Sequence, residues 1–256
     1  MAFTPYDWNL SIQHRDDYVA DRLADGSPVV GLRYDGGLAM VTVRRSQRKV
    51  FEIYDRLMFS ALGSQSDIES VRLAAIDFAH QEGFRRSTDD VTIQRVVGFA
   101  LSPALKRQFA DPFRTPCIMR GLFAEMGQDA GSDRLYLLDH DGEFEVFHHF
   151  ACAAGSLEAQ ARMGDYLRGQ VSGDDQPLAD AVRVALRAWA VGKLASAETA
   201  DIEGPAAEGR ELPSDEAVQS ALDEALRDGV AEVGILERET PRESKFRWIE
   251  NGDWRH

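Results

Sequence analysis

The stretch GSPVVGLRYDGGLAMVTVRRSQRKVFEIYDRLMFSALG, residues 26–63, decides the fold. Val29, Val30 and Leu32 precede Tyr34-Asp35-Gly36-Gly37, and Leu38, Met40, Val41 and Val43 follow. Two apolar, β-branched runs around an Asp-Gly turn predict a tight hairpin, with the turn supplying positive φ. After a basic tip, Arg44-Arg45-Ser46-Gln47-Arg48, the runs 49–54 and 57–62 predict a second hairpin turning at Asp55-Arg56. Lys49 opens it, a lysine at the head of an apolar strand. A helix is predicted next, with Ser66-Asp67-Ile68-Glu69 as its capping box and Ile68, Val71, Ala75 and Phe78 as its stripe.

Working outward, residues 87–90 start a helix bearing Ile93, Val96, Val97, Ala100 and Leu101, which Pro103 is expected to break or kink because proline lacks the amide. Residues 117–123, 134–139 and 144–150 read as three strands, the last two joined at Asp141-Gly142. Helical spacing returns over 157–171 and 178–194. The acidic, small-residue run 196–213 reads as a loop and 215–227 as an extra helix. A closing hairpin pairs Ala231, Val233 and Ile235 with Phe246 and Trp248 across a turn at 240–243. Strands, helices, strands, helices and a last hairpin suit an α+β sandwich of four layers, αββα, with two antiparallel sheets face to face and helices outside both.

Composition bounds the function. A chain of 256 residues with 44% hydrophobic content is long enough to bury roughly 75% of its unfolded surface as one domain. A net charge of −14 argues against nucleic acid, which needs clustered Lys and Arg to release counterions. No apolar run approaches the roughly 20 residues of a membrane span and no signal-peptide pattern opens the chain, so a cytoplasmic protein is expected. Cys117 and Cys152 lack metal spacing and read as small buried side chains. His148 and His149 are neighbours on a predicted strand and point to opposite faces, one packed and one solvated. Asp139-His140-Asp141 reads as a polar hairpin tip. No phosphate loop, His-Glu-x-x-His motif or nucleophile elbow is present, and no cofactor or metal is expected.

In order and spacing, SIQHRDDYVADRL (11–23), the hairpin closing on Gly36-Gly37, KVFEIYDRLMFSALG (49–63) and VAEVGILERETPRESKFRW (230–248) resemble the proteasome α-type subunits, the bacterial ones above all. The resemblance implies one domain: a gate-like segment 1–10, an N-terminal helix 11–25, a sandwich core 26–195, an acidic loop and extra helix 196–229 longer than usual, the hairpin 230–249 and a tail 250–256. It implies a noncatalytic subunit of a seven-membered α ring that stacks on the proteasome β subunits. Such rings gate an axial pore and receive the C-terminal tails of ring-shaped AAA ATPase activators in pockets between subunits. Lys49 matches the pocket lysine that pairs with the activator's terminal carboxylate, and Gly26 and Ser64 match positions lining that pocket. Phe3, Tyr6, Asp7 and Trp8 form the gate segment; Tyr6-Asp7 matches the start of a Tyr-Asp-Arg gate motif in which Trp8 replaces the arginine. The helix 11–23, with Ile12, Val19, Ala20 and Leu23 in a stripe, calls for a neighbour to cover it.

Two alternatives stay open at this point: a paralogue forming some other ring, and a catalytic β-type hydrolase with Ser27 as nucleophile and its own freed amine as base. Against the second, Val43 falls where catalytic subunits place an acid beside the lysine, Pro28 follows the nucleophile position, and no Asp-x-x-Ser-Gly motif follows Leu194. On this reading Ser27 never becomes an N-terminus. Intact-mass measurement of the mature chain is expected to show residues ahead of Ser27 still attached, and a chain beginning at Ser27 overturns the noncatalytic assignment.

Overall fold

The computed structural model describes residues 5–171, 176–200 and 211–249. The first helix, α1 (Pro5–Leu23), is followed by β1 (Val29–Tyr34), β2 (Gly37–Arg44), β3 (Val50–Tyr54), β4 (Leu57–Gly63) and the long helix α2 (Gln65–Arg85). A 3₁₀ turn (Thr88–Asp90) leads to α3 (Ile93–Arg95), a π-helical stretch (Val96–Leu101) and α4 (Ser102–Ala110). Then come β5 (Met119–Glu125), β6 (Arg134–Leu138), β7 (Phe144–Phe147), β8 (Phe150–Ala153), α5 (Leu157–Gln170), α6 (Leu178–Ala200), α7 (Asp215–Asp228), β9 (Val230–Glu237) and β10 (Phe246–Ile249). One sheet runs β10-β9-β2-β1-β8 and the other β3-β4-β5-β6-β7. Every strand pairing in both is antiparallel, giving the four-layer αββα sandwich.

The strands read as nearly continuous apolar runs because both faces of each sheet are covered. Alternation along β2 sends Leu38 and Met40 into the layer between the sheets, where Met58, Leu122, Leu135 and Leu236 meet them. Ala39, Val41 and Val43 turn the other way, against α5, α6 and α7. Across the sandwich, Leu57, Phe59, Phe123 and Tyr136 pack outward against α2, α3 and the π-helical stretch. Gly31 faces the opposite sheet closely: a Cβ there would sit 3.0 Å from Leu135 and 3.1 Å from Leu122.

Several local expectations are corrected. The helix at the start begins at Pro5 and not at Ser11, a residue whose fixed φ and missing amide suit a first helical position. Tyr6, Asp7 and Trp8 therefore belong to its first turns, while Phe3 lies outside the described residues. The α1 stripe is partly covered by the chain's own sandwich, since Val19 and Leu23 are buried in the layer between the sheets. No capping box opens α2. Its N-cap is Ser64, and the carboxylate of Asp67 instead accepts the amide of Ile118 at 2.9 Å. Positive φ at the first hairpin falls on Gly37, φ 148°, where a Cβ would strike the carbonyl of Leu236. Pro103 breaks nothing, because the π-helical turn just before it widens the ladder and α4 continues. The single strand expected over 144–150 is two, β7 at the edge of one sheet and β8 at the edge of the other. His148 and His149 sit in the crossing, both exposed. The loop read from residue 196 is helical through Ala200, and residues 201–210 lie outside those described.

His140 is buried rather than a solvated tip. One ring nitrogen contacts Asp16 of α1 at 2.8 Å and the other Asp139 at 3.3 Å, while Arg120 bonds Asp139 at 2.9 Å. Arg15, one residue earlier, donates to the carbonyls of Phe109, Gln108 and Arg114, so this pair clamps α1 onto the end of α4. Burial by itself would lower the His140 pKa, but the contacts with Asp139 and Asp16 outweigh it and raise the net value. A histidine raised on folding stabilises fully below its unfolded pKa of about 6.5, and that share is lost as pH rises through the folded value. Asp16→Asn is therefore expected to destabilise by a few tenths to about 1 kcal/mol at pH 6, Asp16 being largely exposed. The difference from wild type is expected to shrink as pH rises through the folded pKa of His140; a difference in unfolding free energy independent of pH contradicts a charged His140.

Candidate functional site

At the end of the sandwich where β1 begins and β2 ends, the chain leaves a cleft of about 810 Å³. Its walls come from the turn after α1, the β2–β3 loop, the end of β4 with the start of α2, and one side of α6 and α7. Gly26 and Lys49 both line it, so two residues far apart in sequence meet as expected. Ser64 stands between two lining residues, Gly63 and Gln65. Its hydroxyl is bonded to that of Ser66 at 3.0 Å and its amide to the Ile118 carbonyl at 2.8 Å, which places it at the rim. Trp8 is 41% exposed and does not line this cleft; Phe3 and the side chains of Tyr6 and Asp7 lie outside what the structure describes.

Lys49 is held at both ends. Its backbone amide donates to Glu232 at 2.9 Å, and its ammonium donates to the Ser27 carbonyl at 2.7 Å. Burial pulls the ammonium down to about 8; the Glu232 carboxylate opposes that shift and the Lys193 charge adds to it. Lys49 therefore stays mostly protonated near neutrality, a desolvated cation with donors to spare.

Ser27 is locked in place. Its hydroxyl donates to the Val43 carbonyl at 2.7 Å and accepts from the Trp189 indole at 3.0 Å. Its nitrogen is a peptide amide that follows Gly26 and α1. The ammonium of Lys49 bonds the Ser27 carbonyl and not its hydroxyl. Nucleophilic attack needs a base to take the hydroxyl proton, and here that proton is engaged by the Val43 carbonyl, while the Val43 side chain is packed in the apolar cluster. Burial pushes the Cys117 and Cys152 thiols up to about 12, and among the described residues no His, Cys, Asp and Glu cluster could hold a metal.

Sequence reasoning missed Trp189, Lys193 and Glu232. A charged residue between Ala231 and Val233 in an otherwise apolar strand was a readable signal for Glu232; Trp189 and Lys193 give none within a helix. Glu232 is 4% exposed and takes the amides of Lys49 at 2.9 Å and Val50 at 3.4 Å, with Arg44 at 3.5 Å. Burial raises its pKa while those two amides and Arg44 oppose the rise. Glu232→Ala leaves two amides without an acceptor, each costing roughly 1–3 kcal/mol where buried. A loss of about 2–4 kcal/mol is expected by denaturant unfolding, with Glu232→Gln losing less than half of that because its amide oxygen still accepts. An alanine variant within about 0.5 kcal/mol of wild type removes Glu232 as the anchor of the β2–β3 loop.

A model of the family described as proteasome subunit matches residues 23–201. A protein named proteasome subunit alpha from Nocardioides sp. is 30% identical over 214 residues, 83% of this chain and 77% of that protein. The protein of the same name from Streptomyces coelicolor is 28% identical over 243 residues, covering 93% and 82%. That from Thermobifida fusca is 32% identical over 181 residues, covering 70% of each.

Proposed function

The chain belongs to the proteasome subunit family, and from that footing we propose that it is a noncatalytic α-type ring subunit of a bacterial proteasome core particle. Its cleft docks the C-terminal tail of a ring-shaped ATPase activator. The observation that carries the reading is the pairing of an engaged Ser27 with a desolvated, cationic Lys49 in one open cleft. A lysine whose neighbour cannot act as a nucleophile is left to bind anions, and a carboxylate entering a partly desolvated cleft gains most from such a cation. Peptide-bond cleavage then belongs to β subunits, on which a ring of these chains stacks in copies of seven. Phe3, Tyr6, Asp7 and Trp8 fall to the segment bordering the axial pore, and Gly26 and Ser64 to the margins of the docking cleft. No helix among the described residues is long and apolar enough to cross a membrane, in keeping with a cytoplasmic particle.

If Lys49 receives the activator carboxylate, Lys49→Ala leaves that charge desolvated and unpaired, at a cost of roughly 2–5 kcal/mol. Binding of the activator, or of its C-terminal peptide, to assembled particles is expected to weaken at least tens-fold. A solvated surface pair would lose only about 0.2–1 kcal/mol. Because the protonated amine is the binding form, wild-type affinity is expected to fall as pH rises through about 8. Equal affinities for the two proteins exclude Lys49 from docking. Loss of peptidase activity in a normally assembled Lys49→Ala particle favours the catalytic alternative.

A further inference from the structure

Helix α6 brings a second lysine to the cleft. Trp189 and Lys193 are four residues apart, neighbours on one face of α6, and both line the cleft. That face is fixed against the segment that holds Lys49. The Trp189 indole donates to the Ser27 hydroxyl at 3.0 Å, and a Cβ at Gly192 would sit 3.2 Å from Pro28. Ser27 is thus a shared post: its hydroxyl accepts from α6, and its carbonyl accepts from the Lys49 ammonium at 2.7 Å.

The two lysines differ in what they already hold. Lys49 gives one of its three N–H donors to the Ser27 carbonyl and keeps the others. Lys193 is half-buried, and among the described residues its ammonium has no hydrogen bond or ion pair. Asp25, Glu224 and Asp228 also line the cleft, yet none of them pairs with Lys193 among the described residues. The Glu232 carboxylate is committed to the amides of Lys49 and Val50. Two ammoniums in one cleft repel each other, and no carboxylate of the described chain bonds either of them. The counter-charge has to come from outside.

Resting on the docking reading above, we propose that Lys193 is a second anchor for the incoming tail, one oxygen of the terminal carboxylate turning to Lys49 and the other to Lys193. The site is then a two-cation clamp built from the head of β3 and from α6. A carboxylate offers two oxygens and about four lone-pair sites, enough for both ammoniums, and it replaces one repulsion with two attractions. Lys49 supplies the preorganised contact, because the Ser27 carbonyl already fixes its place. Lys193, with no bond to fix it, supplies a looser contact that salt weakens first.

The test measures binding of a labelled octapeptide, Ser-Gly-Ser-Gly-Ser-Leu-Leu-Leu, to the full chain at low ionic strength, on both sides of the Lys49 pKa of about 8. The peptide is made with a free and with an amidated C-terminus, and its apolar end suits the lining supplied by Phe51, Leu62 and Ile68. Lys193→Met, which keeps most of the side-chain bulk, is expected to weaken the free-carboxylate peptide about 3- to 20-fold and to leave the amidated one unchanged. Lys193→Arg keeps the charge and is expected to lose less than about threefold. In Lys49→Ala the free carboxylate is still expected to be preferred over the amide by about two- to fivefold, and Lys49→Ala/Lys193→Met is expected to lose that preference. If Lys193 does no more than depress the Lys49 pKa, its removal makes Lys49 the better cation. Lys193→Met binding the free-carboxylate peptide as tightly as wild type or more tightly, with Lys49→Ala still binding poorly, therefore overturns the clamp and leaves the docking reading standing. Wild-type binding that is indifferent to amidation and to Lys49→Ala, or absent, overturns both.

Discussion

The apolar layer between the two sheets is the constraint from which the rest follows. A sheet that buries one face can leave the other to water, but here both faces of each are apolar, so helices must cover the outsides. Polar groups are then driven to the ends of the strands and to their turns. That is where the ion pairs gather: Arg120 reaches from β5 to Asp139 and to the carbonyl of Ala154 beyond β8. Asp133 holds Arg238 and the amide of Gly127. The cleft is one of these polar ends. It opens because β1 enters from α1 just where β2 leaves, and the β2–β3 connection has to pass from one sheet to the other over that gap.

Crossing between sheets exposes backbone amides that no strand can satisfy. Glu232 answers that need by lending its carboxylate to the first amides of the second sheet, while Lys49 does the reverse by giving its ammonium to a carbonyl of the first. The lysine is therefore a strut between the sheets. Its position does not depend on a ligand, which is what a preorganised anion site requires.

Much of this was legible in the sequence, and the failures have physical causes. The hairpins of β1–β4 and the order of strands and helices announced the sandwich, and Lys49 stood out as a charge at the head of an apolar strand. The strand break at His148-His149 was not legible, because a chain that switches sheets keeps its β-type residues on either side of the bend. The π-helical turn before Pro103 was not legible either, since proline in a helical pattern signals a break whenever the register upstream is unknown. Burial of His140 depended on Asp16, more than a hundred residues earlier, and long-range pairs leave no periodicity. In the cleft, Gly26 and Lys49 were read together by resemblance, while Trp189 and Lys193 came from a helix in which nothing marks them out from its other residues.

The arrangement around Ser27 shows how a small set of contacts separates binding from catalysis. An activated hydroxyl must be free to lose its proton and must face a group whose charge grows as it does so. Ser27 gives its proton to the carbonyl of Val43 and receives one from Trp189, an arrangement with no charge to develop and no acceptor able to hold a second proton. Lys49 and Lys193 remain, two cations whose mutual repulsion is partly reflected in the lowered Lys49 pKa. The whole chain, at −14, repels an approaching carboxylate, but screening confines that repulsion to about 8 Å at physiological ionic strength. Inside the cleft the nearer charges decide. Under the proposed docking, a carboxylate beside Lys49 would offset the Lys193 repulsion and raise the proton affinity that burial lowers, so the desolvation that weakens Lys49 as a free cation would strengthen it as a partner for an anion.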